Sequence, residues 1–233
     1  MGNKRSTSGG VFKPKVLIVV TSHSQIDPEH QTGLWLEEYS IPRKAFVDAG
    51  FEIVTASPLG GQAPLDPRSL EGVSADPDAI AALAQTHTLQ EAGDASSYDA
   101  IFLPGGHGTM FDLAVNAPIK TLLSEFDAQG KIVAAVCHGP AAFVDALKAG
   151  EPHTLVHGKR ITCFTDNEER AVKLDSLMPF LLESKLREQG ATVVTKPDWA
   201  DHVEVDGTWV TGQNPQSSGS TAKAVIEALK ARV

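Results

Sequence analysis

The chain has 233 residues, of which 42% are hydrophobic and 21% are charged. Both fractions are ordinary for folded proteins, so wholesale disorder is not expected. Its formal net charge of −9 argues against nucleic acid or an anionic membrane as the main partner, because both call for a basic surface. The longest apolar runs, such as residues 16–20, are too short to span a bilayer. The two cysteines do not suit a secreted disulfide scaffold, so we expect a cytoplasmic protein with free thiols.

The amino-terminal end is polar and lacks the apolar segment of a secretory signal. We therefore predict a flexible tail over residues 1–12. The remaining residues, 13–233, contain no internal repeat and no linker long enough to separate two domains, so a single domain is predicted.

Short β-branched segments alternate with longer amphipathic ones along the chain. The first part is predicted to form a buried strand, a helix interrupted near Pro42, a strand, an excursion rich in Gly and Pro, and a modest helix: residues 15–22, 34–50, 51–58, 60–77 and 78–87. A strand, a helix, a strand and a helix are predicted next: residues 99–106, 118–130, 131–137 and 139–150. The last part is predicted to form a strand, a helical pattern broken at Pro179, a strand, a hairpin and a helix: residues 159–164, 168–191, 192–196, 203–210 and 220–233. This alternation predicts an α/β fold, with βαβ units around a largely parallel sheet and with loop and hairpin insertions.

Cys137 follows a predicted strand and precedes a predicted helix, at the edge of the sheet where α/β proteins place their sites. Residues 135–139, AVCHG, have the small-x-nucleophile-x-small spacing of a nucleophile elbow with Cys in place of Ser. We expect the start of the next helix to stabilise a thiolate and so to make this thiol more acidic. The alternative is a buried cysteine that acts as a small hydrophobe, and that is the expectation for Cys163.

A second glycine turn, LPGGHGTMFD at residues 103–112, also follows a predicted strand. The backbone N–H of Gly106 could face the Cys137 site and pair with the N–H of His138 to stabilise an oxyanion. Alone this is a weak signal, because glycine turns after strands are common.

Five motifs occur in order across nearly the whole chain: TGLWLEEYSIP, PGGHGTMFDL, AAVCHGPAAF, ITCFTDNEE and VTGQNPQSS. Together they resemble the PfpI-type superfamily, a branch of the class I glutamine amidotransferase-like fold. Within it, the chain is most similar to the heat-shock-chaperone-like group with glutathione-independent glyoxalase (glyoxalase III) activity. The resemblance implies a flavodoxin-like three-layer sandwich with a mostly parallel sheet, and a homodimer.

The resemblance also implies a set of site residues. Cys137 would be the nucleophile and Glu38 the carboxylate beside it, while His138 and Glu169 would complete a triad. No cofactor and no metal are implied, and the remaining histidines show no close ligand spacing.

Three alternatives to these assignments stay open, and a fourth is not expected. Glu37 and Glu168 each lie one residue from an assigned glutamate, so either register could slip. His107, assigned to oxyanion or substrate binding with Gly106, is a rival to His138 as the base. True amidotransferases carry a later His-x-Glu pair, and the nearest one, at residues 202–204, heads the predicted hairpin, so glutamine hydrolysis is not expected.

The implied activity converts small dicarbonyls, 2-oxoaldehydes such as methylglyoxal, to 2-hydroxy acids such as D-lactate. It is a lyase reaction through a hemithioacetal on Cys137 and a proton shuttle by Glu38, and it needs neither glutathione nor metal. The alternatives are a cysteine hydrolase, either a peptidase or a deglycase, and a stress chaperone or redox sensor in which Cys137 is oxidised. Whether residues 60–98 cap the site is left open.

Overall fold

A computed structural model describes residues 13–71 and 76–232, so the predicted tail lies outside the described residues. The strands are β1 (Lys15–Val19), β2 (Gln25–Asp27), β3 (His30–Gln31), β4 (Glu52–Ser57), β5 (His87–Thr88), β6 (Ala100–Leu103), β7 (Ile132–Val136), β8 (Arg160–Ile161), β9 (Thr192–Val193), β10 (Val203–Asp206) and β11 (Trp209–Gly212). The α-helices are α1 (Leu36–Asp48), α2 (Pro77–Ala84), α3 (Leu89–Ala92), α4 (Ala117–Ala128), α5 (Asp166–Ala171), α6 (Leu182–Glu188) and α7 (Ser218–Lys230). Among these, no helix is both long enough and apolar enough to cross a membrane.

A seven-stranded sheet runs through the described residues in the order β10-β11-β7-β6-β1-β4-β5. Every neighbouring pair is parallel except β10 and β11, which form the predicted hairpin. The five central parallel strands follow the flavodoxin-like order 2-1-3-4-5, and such sheets bind ligands beyond the carboxyl ends of their strands near the point where the order reverses. Here that point lies between β1 and β6.

The core forms two layers, one on each face of the sheet, because successive side chains of a strand point to opposite faces. In β6, Ala100 and Phe102 pack with α1 and α7, while Ile101 and Leu103 pack with α4. All four side chains are fully buried. The predicted α/β three-layer sandwich with a mostly parallel sheet is therefore confirmed.

Two helix predictions are wrong in ways that affect the site. Residues 139–150 do not form a helix: a short 3₁₀ turn covers Gly139–Phe143 and ends before Asp145, whose φ is 57°. Every residue from 139 to 144 is buried, so tertiary packing rather than helix propensity sets this backbone. Conversely, α1 continues through Pro42. The cost of an internal proline, about 3 kcal/mol, is offset by the buried side chains that this helix packs on the sheet.

Three smaller differences separate the structure from the predicted elements. The predicted strand 159–164 pairs only over β8, which joins β9 in a separate two-stranded sheet. The predicted helix 78–87 ends at Ala84, because His87 pairs beside β4 in the central sheet. The hairpin of β2 and β3 had no sequence signal.

Candidate active site

The backbone at Cys137 is a strained turn directly after β7. Its φ of 59° lies in the left-handed region, which is rare for a residue with a side chain. A Cβ on Gly139 would lie 2.0 Å from the carbonyl oxygen of Leu103, so the position two residues after the cysteine must be glycine. The backbone of Cys137 is held by a hydrogen bond from its N–H to the oxygen of Gly212 (3.0 Å) and by one from the N–H of Phe164 to its own oxygen (2.9 Å). The predicted nucleophile elbow is present.

The side chain of Glu38, in the first turn of α1, is buried against this cysteine. Its Oε2 accepts a hydrogen bond from the backbone N–H of Gly105 at 2.7 Å. Its other oxygen makes no well-aligned hydrogen bond among the described residues, and the carboxyl interacts with the Cys137 thiol. Burial raises the pKa of Glu38 to about 8. Glu37 is only half-buried, so the structure selects Glu38 as the carboxyl beside the sulfur.

The expectation of an acidic thiol is wrong for the protein at rest. Burial, followed by the charge of Glu38, raises the pKa of the Cys137 thiol well above its usual value. The expected helix after the cysteine is only the short 3₁₀ turn, which cannot supply a helix dipole large enough to offset these effects. A thiolate at this position therefore requires a group that takes the proton, and Glu38 is placed to do so.

A chain of contacts joins Cys137 to His138 and Glu169. The sulfur lies 3.3 Å from Nδ1 of His138, and Nε2 of His138 lies 2.6 Å from Oε2 of Glu169. Adjacent residues can contact in this way because the turn at Cys137 is not helical. Burial alone would raise the pKa of Glu169, but its interactions with His138 and His107, including a hydrogen bond to each, hold the pKa below its usual range.

Glu168, the alternative to Glu169, has a different place. Its Oε2 accepts from the backbone N–H of Thr165 at 2.9 Å and completes a capping box at the start of α5. Its Oε1 accepts from the backbone N–H of Trp199 and from the side-chain amide of Asn214, both at 2.8 Å. Glu168 therefore anchors the loop that carries Trp199, and only Glu169 reaches the histidine.

His107 lies beside His138, with 4.1 Å between the ring centroids. Its Nε2 is 2.7 Å from Oε1 of Glu169, and its Nδ1 is 3.2 Å from Nη2 of Arg68. Burial lowers the pKa of His107 to about 4. Sequence reasoning missed Arg68 and its partner Asp66, because nothing in the predicted excursion marked them as site residues.

Cys137, His138 and His107 lie at a cavity of about 380 Å³ whose lining also includes three aromatic side chains. It is lined by Trp35, Glu37, Arg68, Gly106, His107, Cys137, His138, Phe164, Val172, Trp199, Pro215 and Gln216. Gly106 has a φ of 97°, and a Cβ there would lie 2.2 Å from the oxygen of Gly33. Only glycine therefore allows the two backbone segments to pack this closely beside the cavity. The excursion at residues 60–77 contributes Arg68 to the cavity, which accommodates only a small molecule.

Other candidate residues lie away from the cavity. Glu204 of the His-x-Glu pair is bound by Nε of Arg160 at 2.6 Å, and neither His202 nor Glu204 lines the cavity. Cys163 is fully buried in the core, as expected. His107, His138 and Glu169 offer ligand atoms within 4.8 Å of one another that could hold a metal ion, so the expectation of a site without metal stays a prediction.

A model of the DJ-1/PfpI family matches residues 32–228. The chain belongs to the DJ-1/PfpI family. Among curated proteins, the glutathione-independent glyoxalase HSP31 of Saccharomyces cerevisiae is 35% identical over 236 aligned residues, which cover 93% of this chain and 98% of that protein. Among solved structures, Rapid Encystment Protein 24 kDa of Francisella tularensis shares 33% identity at a TM-score of 0.88, covering 93% of this chain and 99% of that one. Glyoxalase III of Candida albicans shares 30% identity at a TM-score of 0.83, covering 92% and 97%.

Proposed function

We propose that this DJ-1/PfpI protein is a glutathione-independent glyoxalase of the glyoxalase III type, a cysteine-dependent lyase that converts 2-oxoaldehydes such as methylglyoxal to 2-hydroxy acids such as D-lactate. The observation that carries the proposal is the buried carboxyl of Glu38 beside the thiol of Cys137 at a small cavity. The similarity to proteins named glutathione-independent glyoxalases supports it.

The first step forms the bond between sulfur and carbon. Glu38 takes the thiol proton of Cys137, and the sulfur adds to the aldehyde carbon of the substrate. The aldehyde oxygen, held by the backbone N–H groups of Gly106 and His138, then receives that proton from Glu38. The product is a hemithioacetal, and Glu38 is again a carboxylate.

The second step moves a proton between neighbouring carbons. Glu38 removes the proton from the former aldehyde carbon, which gives an enediolate, and returns a proton to the adjacent carbon, while the hydroxyl proton passes from the oxygen of the first carbon to the oxygen of the second. A base that is buried and has a pKa near 8 can both accept and return this proton near neutral pH. One carbon is oxidised while its neighbour is reduced, and the result is a thioester of a 2-hydroxy acid.

The last step releases the product. His138, whose other nitrogen lies against Glu169, accepts a proton from a water molecule that attacks the thioester. The carbon–sulfur bond breaks, the departing thiolate of Cys137 takes the proton that His138 accepted from water, and the 2-hydroxy acid leaves. The net reaction adds one water to the oxoaldehyde.

The test is to incubate the purified protein with methylglyoxal in the absence of glutathione and to resolve any lactate by chiral chromatography. We expect D-lactate from the wild type and none above background from Cys137→Ala. Cys163→Ala is the matched control, because it removes the other thiol, which is buried in the core, and it should retain activity. Full activity in Cys137→Ala, or no lactate from the wild type, would overturn the proposal.

A cysteine hydrolase acting on small amides or glycated amines is the second candidate. The geometry that favours it is the chain of contacts from Cys137 through His138 to Glu169, at 3.3 and 2.6 Å. Lactate formed from methylglyoxal at the same rate with and without an added amine favours the glyoxalase. Amine release from a glycated amino acid, without lactate from free methylglyoxal, favours the hydrolase.

Suppression of aggregation that survives Cys137→Ala, without turnover of dicarbonyls, would favour a chaperone. The homodimer and the cytoplasmic location stay predictions.

A further inference from the structure

The guanidinium of Arg68 is hydrogen-bonded to the fully buried carboxylate of Asp66. Its Nε donates to Oδ1 of Asp66 at 2.9 Å, and its Nη2 donates to Oδ2 of the same carboxylate. Asp66 is itself fixed by a hydrogen bond from Oγ1 of Thr32 at 3.0 Å. This two-point contact sets the orientation of the guanidinium plane at the edge of the cavity.

The contact between Arg68 and His107 determines where the imidazole carries its proton. A guanidinium can only donate hydrogen bonds, so Nδ1 of His107, 3.2 Å from Nη2, must accept one. The remaining nitrogen, Nε2, must then carry the proton and donate it to Oε1 of Glu169 at 2.7 Å. His107 is therefore neutral, and both of its nitrogens are occupied.

The orientation of Glu169 follows from this arrangement. One of its oxygens accepts from His107, and the other lies 2.6 Å from Nε2 of His138. A carboxylate held from both sides favours the tautomer of His138 that donates from Nε2. Nδ1 of His138 is then unprotonated and faces the sulfur of Cys137 at 3.3 Å.

We propose that Arg68 is a positioning residue which, through His107 and Glu169, keeps His138 in the tautomer that presents an unprotonated Nδ1 to Cys137. The effect on turnover rests on the proposed glyoxalase function, whereas the tautomers can be observed without it. The proposal also removes His107 as a rival base, because its two nitrogens are already committed.

Three charged or titratable groups face His107: Arg68 from the 3₁₀ turn at Pro67–Leu70, Glu169 from α5, and His138 from the turn after β7. Without the Arg68 guanidinium, Nδ1 of His107 loses the donor that makes it an acceptor, so Nδ1 can carry the proton instead. A neutral His107 protonated at Nδ1 has no proton on Nε2 and cannot donate to Glu169, so it would no longer fix the network.

The direct test is a long-range ¹H–¹⁵N correlation spectrum of the full-length protein labelled with ¹⁵N-histidine. The signals of His107 are assigned by their loss in His107→Gln. We expect wild-type His107 to be a neutral tautomer protonated at Nε2 between pH 6 and pH 8. A tautomer protonated at Nδ1, or a doubly protonated ring at pH 7, would overturn the proposal whether or not the protein turns over methylglyoxal.

Two variants of Arg68 test the link to turnover. In Arg68→Gln we expect His107 to lose its single tautomer protonated at Nε2, and we expect kcat to fall about tenfold, the size expected for one lost hydrogen bond to a charged group. Arg68→Lys keeps a charged donor and should keep the tautomer of His107 that is protonated at Nε2. Arg187→Gln, which removes an exposed arginine paired with Glu183, is the matched control and should change neither readout.

The kinetic constants separate positioning from substrate binding. A fall in kcat with KM changed less than twofold supports the positioning role of Arg68. A rise in KM with an unchanged kcat, or an unchanged tautomer of His107 in Arg68→Gln, contradicts it. If Arg68→Gln does not fold, the wild-type spectrum alone still decides the tautomer of His107.

Discussion

Glu38→Gln should change how the stability of the protein depends on pH. The substitution keeps the shape of the side chain, and the amide oxygen can still accept from the N–H of Gly105, which now donates to the carboxyl at 2.7 Å. It removes the group whose pKa burial raises from 4.5 to about 8. Between those two pH values the folded wild type holds a proton that the unfolded chain has lost.

The magnitude follows from the width of this window. Each pH unit in it costs the wild type about 1.4 kcal/mol of unfolding free energy, so the whole window costs about 5 kcal/mol. The contribution of Glu38 to stability is thus fully present below pH 4.5, falls as the pH rises, and is lost above about pH 8. Glu38→Gln has no such loss, so its stability relative to the wild type should increase steadily from pH 5 to pH 8.

The assay is urea unfolding followed by tryptophan fluorescence at four pH values between 5 and 8. Glu37→Gln is the matched control, because it removes one negative charge from the same helical turn and leaves the buried carboxyl of Glu38 in place. It should retain the wild-type dependence on pH. Parallel stability curves for the wild type and Glu38→Gln across this range would refute the claim that Glu38 is buried in its protonated form.

Three other perturbations follow from the same geometry. The kcat/KM for methylglyoxal should rise with pH through an apparent pKa near 8, because Glu38 must be ionised to take the thiol proton; a flat profile from pH 6 to pH 9 would argue against that role. Gly105→Ala should abolish turnover and lower the free energy of unfolding in urea by about 1–3 kcal/mol, because the new Cβ would lie 2.5 Å from the backbone nitrogen of His138. Gly219→Ala, where the nearest atom is 3.8 Å away, is the control and should change neither turnover nor stability. Glu168→Gln should lower the free energy of unfolding by about 3 kcal/mol in the same assay, because it replaces a buried carboxylate that accepts hydrogen bonds from Trp199 and Asn214. An unchanged unfolding midpoint would contradict the anchoring role of Glu168.

The sheet and the elbow could be predicted from the sequence because they depend on local signals. The strands that became β1, β6 and β7 are short apolar runs, and small residues flank Cys137 on both sides. The hairpin of β10 and β11 was also predicted, since its turn needs a residue with positive φ and Gly207 supplies it. The helix predicted after Cys137 failed because burial on all sides, rather than helix propensity, determines the backbone there.

The electrostatics of the site could not be predicted, because they depend on contacts between distant segments. Arg68 meets His107 across 39 residues, and His107 meets Glu169 across 62. The choice between Glu37 and Glu38 also needed the orientation of α1 on the sheet, which two adjacent glutamates do not reveal. The high pKa of the Cys137 thiol is a result of burial, and sequence alone indicated the opposite direction.

The proton shuttle by Glu38 is tested most directly by the origin of the hydrogen on carbon 2 of the product. The wild type is given methylglyoxal in D₂O without glutathione, and the lactate is resolved by chirality and examined by NMR. We expect D-lactate that carries deuterium at carbon 2, because the carboxyl of Glu38 exchanges the proton it has taken with solvent before it returns a proton, and we expect no lactate from Glu38→Gln. Lactate whose carbon 2 holds only the hydrogen of the original aldehyde, formed equally fast by Glu38→Gln, would contradict the shuttle.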